Sequence, residues 1–219
     1  WHKALMHLEL GQIDEVFALY DNEVRKDKTD DYRDISNGTS LLFRLELNGI
    51  DVGNRWEELA DLSQERCDDG CLIFADLHYL MALVSDNRTE ASQRLVSRIH
   101  DDATTRKSEA AISMAKPGVA AAAALEAFGQ GNYTAAYLNF KSARPSFVLA
   151  GGSHAQRDIF ERLTIDSALR AGFFEDAAYL LADRKTKRGG HADGYWEARS
   201  SLLESHLCTD NIAHQRTAL

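Results

Sequence analysis

A chain of 219 residues, 44% hydrophobic and 27% charged, has the composition of a folded protein with enough apolar material for a continuous core, which excludes a disordered chain. A formal charge of −9 and a pI near 5.4 repel phosphate backbones and anionic lipid, so nucleic acid is excluded as an expected partner. The longest apolar run, residues 119–125, falls far short of the ~20 residues of a membrane span, and the low, odd count of cysteines (Cys67, Cys71, Cys208) suits free thiols in the cytoplasm.

The chain opens on Trp1-His2-Lys3-Ala4-Leu5, which reads as the interior of a helix, without a basic leader or an initiator methionine. It therefore reads as the C-terminal part of a longer protein. Proline occurs only at 117 and 145, and Ala, Leu, Glu and Arg dominate long segments, so helices are expected throughout. Three stretches align on a turn glycine: Ala4–Val24 on Gly11, Ala124–Ala143 on Gly131, and Ile165–Arg184 on Gly172. Each has an apolar or aromatic residue two positions on (Ile13, Tyr133, Phe174), a small one five on (Val16, Ala136, Ala177) and a large one nine on (Tyr20, Phe140, Leu181). This is the tetratricopeptide pattern, in which small residues let two antiparallel helices approach and large ones fill the space between pairs.

Gly131 and Gly172 are 41 residues apart, and the gap between Gly11 and Gly131 has room for two more hairpins. Ser36–Asn48 with Asn54–Cys67, turning at residues 49–53, supplies one. Leu72–Val84 with Thr89–His100, turning at residues 85–87, supplies the other. Capping boxes are expected at Asn54 with Glu57, Asn87 with Glu90, and Ser153 with Gln156. Arg25–Asp34 and Lys185–Gly190 read as solvated loops, and Asp193–Leu207 as a capping helix. The expected fold is all-α: an α-solenoid of about five antiparallel helical hairpins with a C-terminal capping helix, forming a single domain over residues 1–219.

The segments from Trp1 to Gly11, Ser40 to Leu47, Val52 to Trp56, Asp76 to Leu83 and His154 to Glu161 together resemble the tetratricopeptide repeat protein 38 family. That resemblance implies a helical repeat protein usually longer than this chain. It implies no established reaction, cofactor or catalytic residue.

Two sets of residues are candidates for function. Arg44, Asp76 and His78 lie in otherwise apolar helical stretches, and a buried guanidinium needs a carboxylate or several carbonyls around it. With His154, Arg157 and Asp158 they could form a polar pocket for an anionic group or a peptide end; the competing reading is a set of structural ion pairs and caps. The second set follows from the repeat pattern, in which the first helix of each hairpin lines a concave groove: Trp1, Leu5, Glu9, Leu125, Phe128, Arg162, Asp166 and Arg170. An apolar middle and a charged end suit an extended or helical peptide.

The eight histidines form no ligand motif at metal spacing, and Cys67 and Cys71 lack a second cysteine pair, so no metal and no cofactor are expected. Ser153 in Gly151-Gly152-Ser153-His154 reads as a helix cap rather than a nucleophile, and no phosphate-binding loop occurs, so a catalytic centre is not expected. The leading expectation is a cytoplasmic protein-interaction scaffold with a protein or peptide partner. The rival is a small-molecule-binding or enzymatic α-solenoid with a pocket around Arg44, His78 and His154, and pairing of two chains into a homo-oligomer is a third.

Overall fold

Long runs rich in Ala and Leu, punctuated by Gly and Asn, fold into helices, and no strand occurs among the described residues. The structure is a computed structural model that describes residues 1–105 and 108–217, with side chains described as far as His206. Cys208 and His214 therefore lie outside the described side chains. The elements are α1 (His2–Glu9), α2 (Ile13–Leu19, extended by a wider turn over Tyr20–Val24), α3 (Tyr32–Leu47) and α4 (Arg55–Glu65). Next come α5 (Ile73–Ser85), α6 (Thr89–Thr105), the short α7 (Glu109–Ser113), α8 (Val119–Gly129) and α9 (Tyr133–Ala143). The chain ends with α10 (His154–Arg170), α11 (Phe174–Lys187) and α12 (Gly194–Thr217). No described helix is long and apolar enough to cross a membrane.

One turn recurs at five helix ends. After α1, α3, α5, α8 and α10 the backbone enters the left-handed region at Gly11 (φ 69°), Gly49 (77°), Asn87 (57°), Gly131 (72°) and Gly172 (81°). The next residue donates its N–H to the carbonyl five positions back: Gln12 to His7 at 2.9 Å, Ile50 to Leu45 at 3.0 Å, Arg88 to Leu83 at 2.8 Å, Asn132 to Ala127 at 2.9 Å, and Phe173 to Ala168 at 2.9 Å. These are Schellman ends, which satisfy the otherwise orphaned carbonyls of the last helical turn. Asparagine serves where glycine stands elsewhere because its short polar side chain tolerates the left-handed conformation.

Each turn joins two helices packed against each other: α1 with α2, α3 with α4, α5 with α6, α8 with α9, and α10 with α11. The pattern positions form the core as their sizes require. Val16, Ala136 and Ala177 are buried, and so are Tyr20, Phe140 and Leu181. Helices α3, α5 and α8 pack side by side, while α10 contacts both α9 and α3. Through that last contact the C-terminal part of the chain folds back over the first half. Arg162 of α10 reaches Glu9 of α1 at 3.0 Å, and Arg199 of α12 reaches the Leu47 carbonyl and, at 3.2 Å, Asn48 at the end of α3.

Several local expectations need correction. Of the three capping boxes, Ser153–Gln156 forms in both directions. Asn54 makes no side-chain cap bond, and Asn87 is taken up by the left-handed turn. Asn132 caps α9 through the Ala135 N–H, and Asp31 caps α3 through the Arg33 N–H. Arg25 is not solvated: it is buried against Glu58, because its stem packs beside Gly38, where a Cβ would come within 2.9 Å of it. Helix α11 continues through Lys187, its last turn carrying Arg184, Lys185 and Lys187, whose charge suits the negative end of a helix.

Candidate functional site

Of the six residues of the expected polar pocket, Arg44 lies near enough to His78 and Asp158 for its charge to act on both, while Asp76 is paired elsewhere and His154 is exposed. Arg44 is fully buried and its guanidinium is spent on the Ser40 carbonyl (2.9 Å), the Ser40 hydroxyl and the Ala155 carbonyl (2.8 Å), under the Trp1 ring at 5.8 Å. Burial and the nearby Arg162 push its pKa down, and Asp158 is close enough to oppose that shift. Asp76 pairs instead with Arg98 at 2.6 Å, and Arg98 also holds Asp102 at 3.0 Å. Arg157 donates to the carbonyls of Gly151 (3.0 Å) and Gly152, while His154 is exposed at the start of α10. Among the described residues no group of three or more His, Cys, Asp and Glu is placed to hold a metal ion.

His78 is buried between Phe74 (ring centroids 4.4 Å apart) and Phe160 (5.4 Å). A carbonyl can only accept, so Nδ1 carries the proton that bonds Phe74 O at 2.7 Å, and Nε2 has no hydrogen-bond partner among the described residues. Burial, with a smaller push from Arg44, lowers its pKa to about 4. The unfolded chain then binds the extra proton at higher pH than the folded one. His78 should therefore favour folding fully above about pH 6.5, losing up to about 3 kcal/mol as pH falls from 6.5 to 4. Urea denaturation across this window should give a falling midpoint for the native protein and a flatter profile for His78→Phe.

Asp158 belongs to a buried network that sequence reasoning saw only in part. It accepts from Arg162 Nε at 2.8 Å and from Arg184 Nε at 2.7 Å, and Arg184 also bonds Asp193 at 2.7 Å. Burial alone would raise the Asp158 carboxyl, but Arg162, Arg184 and Arg44 together hold it far below the usual carboxylate range. Tyr195, at the start of α12, lies under three guanidiniums, Arg162 (4.5 Å), Arg184 (5.0 Å) and Arg199 (4.5 Å), with its hydroxyl 2.5 Å from Asp166 Oδ2. Arg199 pairs with the same Asp166 at 2.9 Å. The missed signal was helical spacing: Tyr195, Arg199 and Leu203 fall four apart on the buried stripe of α12, and Leu180 and Arg184 do so on α11.

The expected concave face is therefore largely interior. Leu125, Arg162 and Asp166 are buried within the fold, and Trp1 and Leu5 are half-buried. Glu9 is exposed but tied to Arg162. The closure of α10 onto α3 is the physical reason. Phe128 and Arg170 have a different fate, because they lie near the C-terminal ends of their helices.

At that edge, where α3, α5, α8 and α10 all end, three depressions adjoin. One of about 250 Å³ is lined by Leu83, Asn87, Ser92 and Glu126 among others. It shares Val84, Asn87 and Gly129 with one of about 280 Å³ walled by Phe43, Glu46, Phe128 and Arg170. That in turn shares Leu47 and Arg170 with one of about 460 Å³ bounded by Asn48, Phe174, Leu202 and His206. Gly129 permits the close approach of α8 to α5, since a Cβ there would come 2.8 Å from Val84 Cβ.

The chemistry of the groove is mixed. Phe43 and Phe128 form an aromatic floor with ring centroids 5.8 Å apart, and Arg170 lies over Phe128 (5.2 Å) and Tyr133 (5.0 Å), donating to the Tyr133 hydroxyl at 3.0 Å. Opposite, Glu46 accepts from Trp56 Nε1 at 2.7 Å, and partial burial raises its carboxyl against that hydrogen bond. The sequence pointed to Phe128 and Arg170 but not to Glu46, whose place near a helix end was legible but whose nearness to Phe128 and Arg170 was not. No family model matches the chain, and no solved structure gives a significant match to it.

Proposed function

We propose that the chain is a tetratricopeptide-like α-solenoid of five helical hairpins, of the kind its resemblance to the tetratricopeptide repeat protein 38 family implies, and that it works in the cytoplasm as a protein-interaction scaffold. The recurring Schellman turn and the buried small and large pattern residues support the repeat reading. The partner is an extended peptide segment, held in the groove at the turn edge rather than on the concave face.

The single observation carrying this reading is the continuity of the three depressions from Glu126 to His206 across the ends of four helices. A path of that kind gives pockets for alternate side chains along an extended chain, with aromatic surface for affinity and isolated charges for orientation. Peptides selected from a random library on the native protein should lose at least tenfold in affinity for Phe128→Ala, which removes floor, and for Ser85→Phe, which fills the middle depression. Both variants should keep a cooperative thermal transition. Unchanged affinity in both would contradict the proposal.

A further inference from the structure

The middle depression carries one negative and one positive side chain with charge to offer a ligand. Both are exposed, and neither Glu46 nor Arg170 has an ion-pair partner among the described residues. They do not pair with each other, although both line the same space of about 280 Å³ above Phe43 and Phe128. Each is held in place by a hydrogen bond that leaves charge to offer. Trp56 takes Oε1 of Glu46 and leaves Oε2, while Tyr133 takes one nitrogen of Arg170 and leaves the rest of the fork. Glu46 lies in the last turn of α3, whose negative pole also favours a cation there.

We infer that the middle depression selects a peptide segment in which an apolar side chain is flanked by a basic and an acidic one, the base meeting Glu46, the acid meeting Arg170, and the apolar group resting on Phe43 and Phe128. This inference rests on the groove reading above and specifies its occupant. Flanking charges of opposite sign fix the direction in which the segment lies, because the reversed peptide sets like charges against each other.

The test is an array of heptapeptides blocked at both ends, each with one Lys, one Leu or Phe, and one Glu in a Gly/Ser background, in both orders and all spacings. Matched peptides carry Gln in place of Lys or of Glu. On the native protein one order should bind, and each neutralisation should cost about tenfold. The Lys dependence should vanish in Glu46→Gln, which keeps an acceptor for Trp56, and the Glu dependence should vanish in Arg170→Gln. Binding that Ser85→Phe abolishes but that keeps the same charge dependence in Glu46→Gln and Arg170→Gln would overturn this inference and leave the groove standing. Binding of the array peptides that Ser85→Phe and Phe128→Ala do not affect would overturn both.

Discussion

Replacing Asp158 with alanine should lower the unfolding free energy by about 2–3 kcal/mol, because it takes from the buried guanidiniums of Arg162 and Arg184 the carboxylate they share and leaves them only Glu9 and Asp193. Removing one member of a buried charge network costs more than the network contributes, since the remaining charges stay desolvated. The loss should fall mainly on the contact of α10 with α11 and α12, so hydrogen exchange should quicken there first. A comparison exposes the role of burial. Arg33 pairs with Asp31 on the surface, and Arg33→Ala should give no resolvable change in urea midpoint. Equal losses from both substitutions would contradict a role for the buried Asp158 network in holding α10 to α11 and α12.

Phe160→Ala should cost about 3–5 kcal/mol, for a different reason. Phe160 is fully buried, stacks on Phe147 with ring centroids 4.9 Å apart, and meets His78 edge-on. Its removal leaves a cavity at the junction of α5 and α10. Water entering that cavity would solvate the unpartnered Nε2 of His78, so the variant should also lose the pH dependence between 6.5 and 4. Calorimetry at pH 7 and pH 5 on both proteins separates the two effects: a large loss at both pH values, with a smaller difference between them in the variant.

The elements themselves were legible in the chain because turn and core positions obey local rules. A glycine at the left-handed position, a small residue five on and a large one nine on specify a helix pair without reference to the rest of the molecule, and those residues are buried as the pattern requires. Asn87 occupies the same backbone position without glycine; the sequence placed it in the turn, and the capping box also expected there is replaced by the left-handed turn end. What was not legible was distance across the chain. The contacts of Arg162 with Glu9 and of Arg199 with Asn48 join residues about 150 positions apart, and only the packing of all the intervening helices decides whether such groups meet.

The candidate site illustrates the same division. The concave positions were assigned from the repeat pattern, which fixes the face a residue occupies but not what later covers that face. Leu125 and Arg162 are buried, while Phe128 and Arg170, nearer the ends of the same helices, lie at the edge that remains open. Arg44 and Asp76 were readable as buried charges needing partners, but the choice of Ser40 and Ala155 for one and Arg98 for the other depended on the arrangement of neighbouring helices.

Hydrogen–deuterium exchange with and without a peptide selected on the native protein addresses the location of the binding face most directly. Slowed exchange should cluster at residues 46–50, 84–88, 128–132 and 169–173, the successive turns along one edge. Protection confined to the exposed faces of α2, α4 or α6, with the turn residues unchanged, would contradict it.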